Sequence, residues 1–595
     1  MECFAILQPF RSQLSIHQPP MKTSIKIVTT VVLTFLAGGA AKTPKPPPEI
    51  TPIHITGNKF FHENGTQFFL KGIAYQRQVP GHQHLGFAEI PKGYVDSLAH
   101  PELCLPDIEL LQQLHVNTIR VYQVDPDQSH HECMSALAEA GIYVLVDLSA
   151  PNSAINRAHP SWHIGLLERY KAVADNLHTY NNLLGFIAGN EVVTGTHDSG
   201  AAPFVRAAVR DIRRYMRQQG YRPVPIGYAA NDDEATRIPS LQYFTRASES
   251  SSAIDTDNDG DRGITDFYGI NMFEWCGYST FATSGFRART VEFASSPVPV
   301  FLSEFGCTSV RPRPFTETEA LYGVEMAQVW SGGVVYELFE NANHHGVAEE
   351  VPNGAVHKLG EFDVLSQRYR MAAPRGQREE DVRKALHRAP LPPPPPLQST
   401  TWAASAELPP TPSEEKCRCV GEMLSCWPQR AIDPFASPEL SVEKRALYDK
   451  VCSEVDCGKV EADGSRGQYG ELSGCAPEVR LAWAMSKQAR KGRGGAGDLS
   501  ESDVCTISGG VFESEVSSFP DCLTLVGDLF AERSLVETSA VGELSQSNLQ
   551  APVYFSQPPT LGKKRTGNWT HFDPWESKAV KTKISWWSLA LLFVG

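Results

Sequence analysis

Eight apolar, strand-like runs recur between residues 68 and 339, with helix-like stretches in several of the gaps. They are FFLKGIAYQ (68–76), VNTIRVY (116–122), GIYVLVDLS (141–149) and LLGFIAGN (183–190), then PVPIGYAA (223–230), DFYGINMF (266–273), VPVFLSEF (298–305) and SGGVVYELF (331–339). The helix-like stretches include DIELLQQLH (107–115), HECMSALAEA (131–140) and PFVRAAVRDIRRYMRQQG (203–220). Parallel strands need long crossovers, and helices supply them. The alternation therefore predicts an α/β catalytic domain, a (β/α)8 TIM barrel. A doubly wound open sheet shows the same alternation, and the strand count alone leaves it open. The first strand is not followed by a glycine-rich dinucleotide fingerprint, which argues against that sheet.

In a barrel the chemistry sits where strands emerge at the C-terminal face. The fourth run ends in Asn190-Glu191 and the seventh in Ser303-Glu304-Phe305. Two carboxylates in one mouth can cleave a glycosidic bond, one as acid and one as nucleophile, and a gap of about 5–5.5 Å between them means retention of configuration. The other strand ends carry Tyr75, Gln76, Arg120, Tyr122, Asp147, Asn231 to Asp233, Tyr336 and Glu337. The loop SAPNSAINR (149–157) adds Asn156 and Arg157. Each of these alone reads better as a solvated loop, because strands generally finish at water. Their recurrence points to a cleft that stacks and hydrogen-bonds sugar.

A net charge of −14 with a pI near 5.7 excludes phosphate-backbone binding as the main activity. The chain begins with an upstream extension and signal-like segment at 1–41, in which Met21 precedes Lys22, Lys26, an apolar run and the small residues Gly39 to Ala41. Translation is expected to start at Met21. Cleavage near Ala41 removes Cys3 and leaves Cys104, Cys133, Cys276, Cys307, Cys417, Cys419, Cys426, Cys452, Cys457, Cys475, Cys505 and Cys522. An even, clustered set in a secreted chain reads as disulfides. Cys417-x-Cys419 raises metal as an alternative, but no ligand set spaced like a zinc ribbon follows it.

After a catalytic domain at 43–370 comes a charged, proline-rich stretch at 371–416, read as a linker around the five prolines 392–396. A cysteine-dense unit follows at 417–524, then a low-hydrophobicity tail at 525–583. The last residues, ISWWSLALLFVG (584–595), suit a glycolipid-anchor signal better than a membrane span. Asn64-Gly-Thr66 and Asn568-Trp-Thr570 are glycosylation triplets. His344-His345 has no evident third metal ligand. Asp255-Thr-Asp-Asn-Asp-Gly260 starts like a calcium loop, but position twelve is Asp266 rather than Glu, so a calcium site and a solvated acidic loop both stand.

GNEV (189–192), SEFGC (303–307), KGIAYQ (71–76), NTIRVY (117–122) and VWSGGVVYE (329–337) resemble the fungal β-1,3-glucanosyltransferases of glycoside hydrolase family 72, the Gas, Gel or Phr proteins. FYGINMFEWCG (267–277) and GCTSVRPRPFTE (306–317) strengthen a resemblance that covers roughly 48–370. The cysteines of 417–505 are similar to the family 43 carbohydrate-binding module found after that barrel. The resemblance implies a secreted, monomeric enzyme of the fungal cell surface and wall, without a cofactor or metal. Such an enzyme cuts β-1,3-glucan and passes the new reducing end to the non-reducing end of another glucan. It implies Glu191 as acid/base, Glu304 as nucleophile, and Gln76, Tyr122, Asp147, Asn190, Asp232, Arg237 and Tyr336 as glucan-binding. It also implies the pairs Cys104–Cys133 and Cys276–Cys307, while the pairing within 417–522 stays open. The family carries a tyrosine at the end of the sixth strand that bonds the nucleophile. Here stands Phe273, and the missing hydroxyl is expected to raise the Glu304 pKa and weaken activity. The insertion at 255–263, the charged stretch 371–389 and the tail after 524, poorer in Ser and Thr than is usual for the family, also depart from it. A plain β-1,3-glucanase and a wall-anchored binding protein are the alternatives.

Overall fold

The eight apolar runs close into one parallel barrel, which excludes the open sheet. Its strands are β1 (Leu70–Ala74), β2 (Thr118–Val121), β3 (Tyr143–Asp147), β4 (Leu183–Asn190), β5 (Ile226–Asn231), β6 (Phe267–Asn271), β7 (Val300–Phe305) and β8 (Trp330–Val335). Each pairs with the next, and β8 returns to β1 with Gly333 opposite Lys71. The computed structural model describes residues 50–78, 94–151, 153–246, 261–351, 355–386, 398–428, 439–491, 500–514 and 520–526. The signal-like segment, Asp255–Gly260, the five prolines, Asn568 and everything beyond 526 lie outside those residues. Among the described residues no helix is long and apolar enough to cross a membrane.

The strands read as unbroken apolar runs because both of their faces are buried. In β3, Val144 and Val146 pack outward against the helices while Tyr143 and Leu145 pack inward. The outer helices are α1 (Pro101–Gln113), α2 (His131–Glu139), α3 (Ile164–Leu177), α4 (Ala202–Gln218), α5 (Arg237–Thr245), α6 (Phe286–Phe293), α7 (Glu317–Leu321) and α8 (Gly360–Met371). Helix α1 begins six residues before the predicted start at Asp107, with Pro101 in its first turn and Pro106 inside it. Proline suits the first position, where its missing N–H has no partner in any case. At the N-terminal end, the antiparallel strands His54–Thr56, Lys59–Phe61 and Gln67–Phe68 plug the barrel, and Phe60 meets the rings of Phe267 and Phe301 at 6.0 and 6.4 Å. Asn64 is exposed at a turn of this plug, its side-chain oxygen accepting from the Thr66 hydroxyl at 2.6 Å.

The stretch 371–416 is not the free spacer its composition suggests. Helix α9 (Glu379–Leu386) lays Val382 and Leu386 over Gly57 of the plug, and the Thr56 hydroxyl donates to Glu379 at 2.7 Å. Farther on, Trp402 is fully buried beside Tyr243, with ring centroids 5.4 Å apart. The Thr411 hydroxyl then donates to Asp211 of α4 at 2.7 Å. A few anchoring side chains fix a segment whose average composition is that of a linker.

The C-terminal unit contains α10 (Glu414–Glu422), α11 (Val442–Glu454), α12 (Pro477–Lys491) and α13 (Glu501–Ile507), with a two-stranded ladder of Cys426–Pro428 on Gly510–Phe512. Helix α12 is its spine, burying Val479, Leu481, Trp483 and Met485. Disulfides join Cys417–Cys475, Cys419–Cys522, Cys426–Cys505 and Cys452–Cys457. In the barrel, Cys104 bonds Cys133 and Cys276 bonds Cys307. Cys417 and Cys419 thus have separate partners, which rules out a metal held by the pair. The apolar cluster between strands and helices continues into this unit without a break.

Candidate active site

Asn190 is the last residue of β4, and Glu191 follows it in a left-handed conformation (φ 48°) that a side chain adopts at a cost of about 1–3 kcal/mol. Three bonds hold it there. Its N–H donates to the Ala229 carbonyl at 2.8 Å, and its own carbonyl accepts from Arg157 at 2.7 Å. Its carboxylate accepts from Asn271 Nδ2 at 2.9 Å. Asn271 ends β6 and is fixed in turn by the Ser303 hydroxyl, at 2.8 Å.

Glu304 lies within β7, in register with Asn271. Arg120 of β2, fully buried, organises the groups around it. Its Nη1 donates to Glu304 Oε1 at 3.1 Å and to the Ser303 carbonyl at 3.2 Å. Nε and Nη2 grip Asp147 at 3.2 and 3.1 Å, and Nη2 also donates to Asn190 Oδ1 at 2.9 Å. The Tyr122 hydroxyl donates to Glu304 Oε1 at 2.9 Å, with Arg120 stacked 4.4 Å from the Tyr122 ring. A buried guanidinium in an apolar strand has to be paired, and here it is paired with the carboxylates that line the mouth.

The Glu304 carboxyl is pushed up to about 7: burial raises it most, Arg120 and Tyr122 hold it down, and the Glu191 and Asp147 carboxylates add to the rise. Burial also raises Asp147, against the pull of Arg120. In the open cleft, Glu304 therefore keeps its proton at acid pH. The pKa is raised, in the direction expected from Phe273, but burial is its first cause and Glu304 does keep one hydroxyl partner. Tyr122 donates the hydroxyl from another strand, and the Phe273 ring packs edge-on to Tyr336 and His345 at 6.4 and 5.8 Å.

The remaining predicted residues divide into groups. Tyr336 stands 6.3 Å from Tyr122, ring to ring, and its hydroxyl accepts from Asn343 at 3.2 Å. Gln76 is buried, accepting from the Tyr122 and Gln123 backbone at 3.0 and 3.2 Å and donating to the Val95 carbonyl at 2.9 Å, so it braces the strand that carries Tyr122. Arg237 is nearly buried in an ion network of its own with Asp232, Glu292 and Glu274. Asn156 donates to Glu439 of the C-terminal unit at 2.9 Å. His344 pairs with Glu340 at 2.9 Å, and His345 with the Asn343 carbonyl at 2.9 Å. Among the described residues the one triad with metal-like spacing is Cys452, Cys457 and Glu461, whose cysteines are bonded to each other. Arg120 as the organiser, and Asn271 with Ser303, escaped the sequence reading. An arginine inside the apolar run TIRV was the signal for the first. Nothing marked Asn271 apart from its place at a strand end.

The glucanosyltransferase family model matches residues 43–373, and an X8 domain model matches 437–507. The 1,3-beta-glucanosyltransferase GAS2 of Saccharomyces cerevisiae is 45% identical over 445 residues, which are 74% of this chain and 76% of that protein. PGA5, a 1,3-beta-glucanosyltransferase of Candida albicans, is 42% identical over 462 residues, covering 74% of this chain and 68% of its own length. The structure of a mutant of S. cerevisiae Gas2p in complex with laminaritetraose and laminaripentaose superposes with a TM-score of 0.68 at 40% identity, covering 81% of this chain and 99% of that one. With that span of likeness over both the barrel and the cysteine-rich unit, the chain belongs to the glucanosyltransferase family.

Proposed function

We propose that this chain is a retaining β-1,3-glucanosyltransferase that acts by double displacement. The observation that carries the reading is Glu304, buried in β7 under Arg120 and Tyr122, in the same barrel mouth as Glu191 at the end of β4. Glu304 attacks the anomeric carbon of a bound glucan while Glu191 gives its proton to the departing glycosidic oxygen. A covalent glycosyl-enzyme forms and the shortened glucan leaves. Glu191 then takes the proton from a hydroxyl at the non-reducing end of a second glucan, whose oxygen attacks the same carbon and frees Glu304. Transfer outruns hydrolysis when acceptor subsites hold a glucan where water would attack. Tyr122 and Tyr336 offer ring faces, and Asp147 and Asn190 polar edges, to the sugars at the cleavage point. Asp232 and Arg237 act at the periphery.

Six disulfides support a secreted life in an oxidising compartment. The same reading places the protein, as a monomer, at the cell surface and wall, held by a glycolipid anchor added near its apolar end. The test uses the secreted chain, from Lys42 to about residue 570, with a reduced β-1,3-linked oligosaccharide, and follows product masses over time. Products both shorter and longer than the donor, abolished in Glu304→Gln, are expected. Shorter products alone would make it a hydrolase, and no products from folded protein would make it a binding protein.

A further inference from the structure

The loop between β3 and α3 leaves the barrel mouth and meets the C-terminal unit directly at two places, with a third tie that runs through Asp211 of α4. Near its middle, Asn156 Nδ2 donates to Glu439 Oε1 at 2.9 Å. At its end, the Ile164 N–H donates to the Gly474 carbonyl at 2.9 Å. Between them, Trp162 Nε1 donates to Asp211 at 2.8 Å, and the other oxygen of Asp211 accepts from Thr411, on the segment that leads into α10. Glu439 itself is firmly seated. Leu440 beside it is buried in the shared core, and the Ser441 side chain caps α11 through the Lys444 N–H.

The residue after Asn156 makes the contact that matters for the chemistry. Arg157 Nη2 donates to the Glu191 carbonyl at 2.7 Å. That carbonyl belongs to a residue whose left-handed backbone needs support on both sides, and β5 supplies the other. Asn156 is turned rigidly toward Glu439 because its Oδ1 accepts from the Ala158 N–H at 2.8 Å. We propose that the C-terminal unit positions Glu191 through this relay: Glu439 holds Asn156, Asn156 fixes the loop, and Arg157 on that loop fixes the Glu191 backbone. Glu439 and Asn156 are positioning residues. The inference rests on Glu191 being the acid/base.

Inverting the hydrogen bond tests it. Asn156→Asp sets two carboxylates against each other at neutral pH while keeping the Oδ1 acceptor. Glu439→Ala removes the acceptor. The double variant Asn156→Asp/Glu439→Gln restores a bond with donor and acceptor exchanged. In the full secreted chain, transfer kinetics at pH 7 and amide hydrogen exchange across 149–163 are read together. The expected result is about a tenfold fall in kcat for each single variant, with the donor KM within about twofold and faster exchange in the loop. The double variant should regain both kcat and exchange protection. Unchanged exchange in Asn156→Asp, altered exchange with unchanged kcat, or no recovery in the double variant would each overturn the relay. Retained transfer in Glu191→Gln would instead remove the role of Glu191, and the relay with it.

Discussion

The two ends of the barrel are built from the same eight strands and handle burial in opposite ways. At the floor, Phe60, Phe68, Leu145, Phe267, Phe301 and Val334 fill the interior with rings and branched chains. There is so little slack that a Cβ on Gly227 would lie 2.0 Å from the Phe267 ring. At the mouth, the same interior holds Arg120, Asp147 and Glu304, two of them within 2% of full burial. Burial of apolar groups stabilises, at about 25 cal/mol per Å². Burial of a carboxylate costs free energy unless its partners replace the water. The floor thus supplies stability that the mouth draws on, and a barrel can host a strained, half-compensated site at one end because the other end is dry and full.

The widest separation of the two ends comes from paired substitutions. Glu304→Gln should lower transfer by roughly 10⁴-fold or more, measured on purified folded protein, because no other group can form the glycosyl-enzyme. Phe301→Ala should do the reverse, costing about 3–5 kcal/mol in denaturant unfolding while kcat per folded molecule stays within about twofold. If Phe301→Ala lowered kcat by more than the unfolded fraction explains, the ends would not be independent.

The third test asks whether the mouth really burdens the fold. Glu304 keeps its proton up to about pH 7, whereas the unfolded chain releases it near the ordinary value of 4.5. Between those values the native state binds more protons, so stability falls as pH rises and the loss is complete above about 7. Glu304→Gln, which carries no such charge, should therefore be more stable than the unaltered protein by about 1–3 kcal/mol at pH 8 and equal to it near pH 4. Equal stability at both pH values would mean that Arg120 and Tyr122 fully offset the buried charge.

The floor and the strands were legible in the sequence because burial on both faces leaves long apolar runs. Glu191 and Glu304 were legible because a carboxylate interrupts such a run. Arg120 was visible as a strand-end residue, but its five donated bonds depend on β3, β4 and β7 arriving beside it, which no local pattern encodes. The anchors of the 371–416 stretch were hidden for the opposite reason. Val382, Trp402 and Thr411 are isolated among prolines and charges, and their worth lies in the barrel surface they meet. Asn156 shows both limits, being a plausible sugar contact in sequence and a tie to the C-terminal unit in space.

The two smallest effects concern the hydroxyl beside Glu304. Tyr122→Phe removes a donor to the charged form, so the Glu304 carboxyl should rise further and the acid limb of kcat/KM should move up by about one pH unit. Phe273→Tyr places a second hydroxyl just past Asn271, the β6 residue in register with Glu304. A hydroxyl that reaches the carboxylate from that side favours the charged form, so the acid limb should move down, by less than about one unit, because Tyr122 already supplies one donor. The same substitution introduces an oxygen into a ring cluster of Tyr336 and His345, and a small loss of stability should accompany it. A shift in the acid limb for Tyr122→Phe with none for Phe273→Tyr would assign the pKa control of this mouth to β2 alone. Equal and opposite shifts would mean that the site has room for a donor on either side of its nucleophile and that this chain uses one.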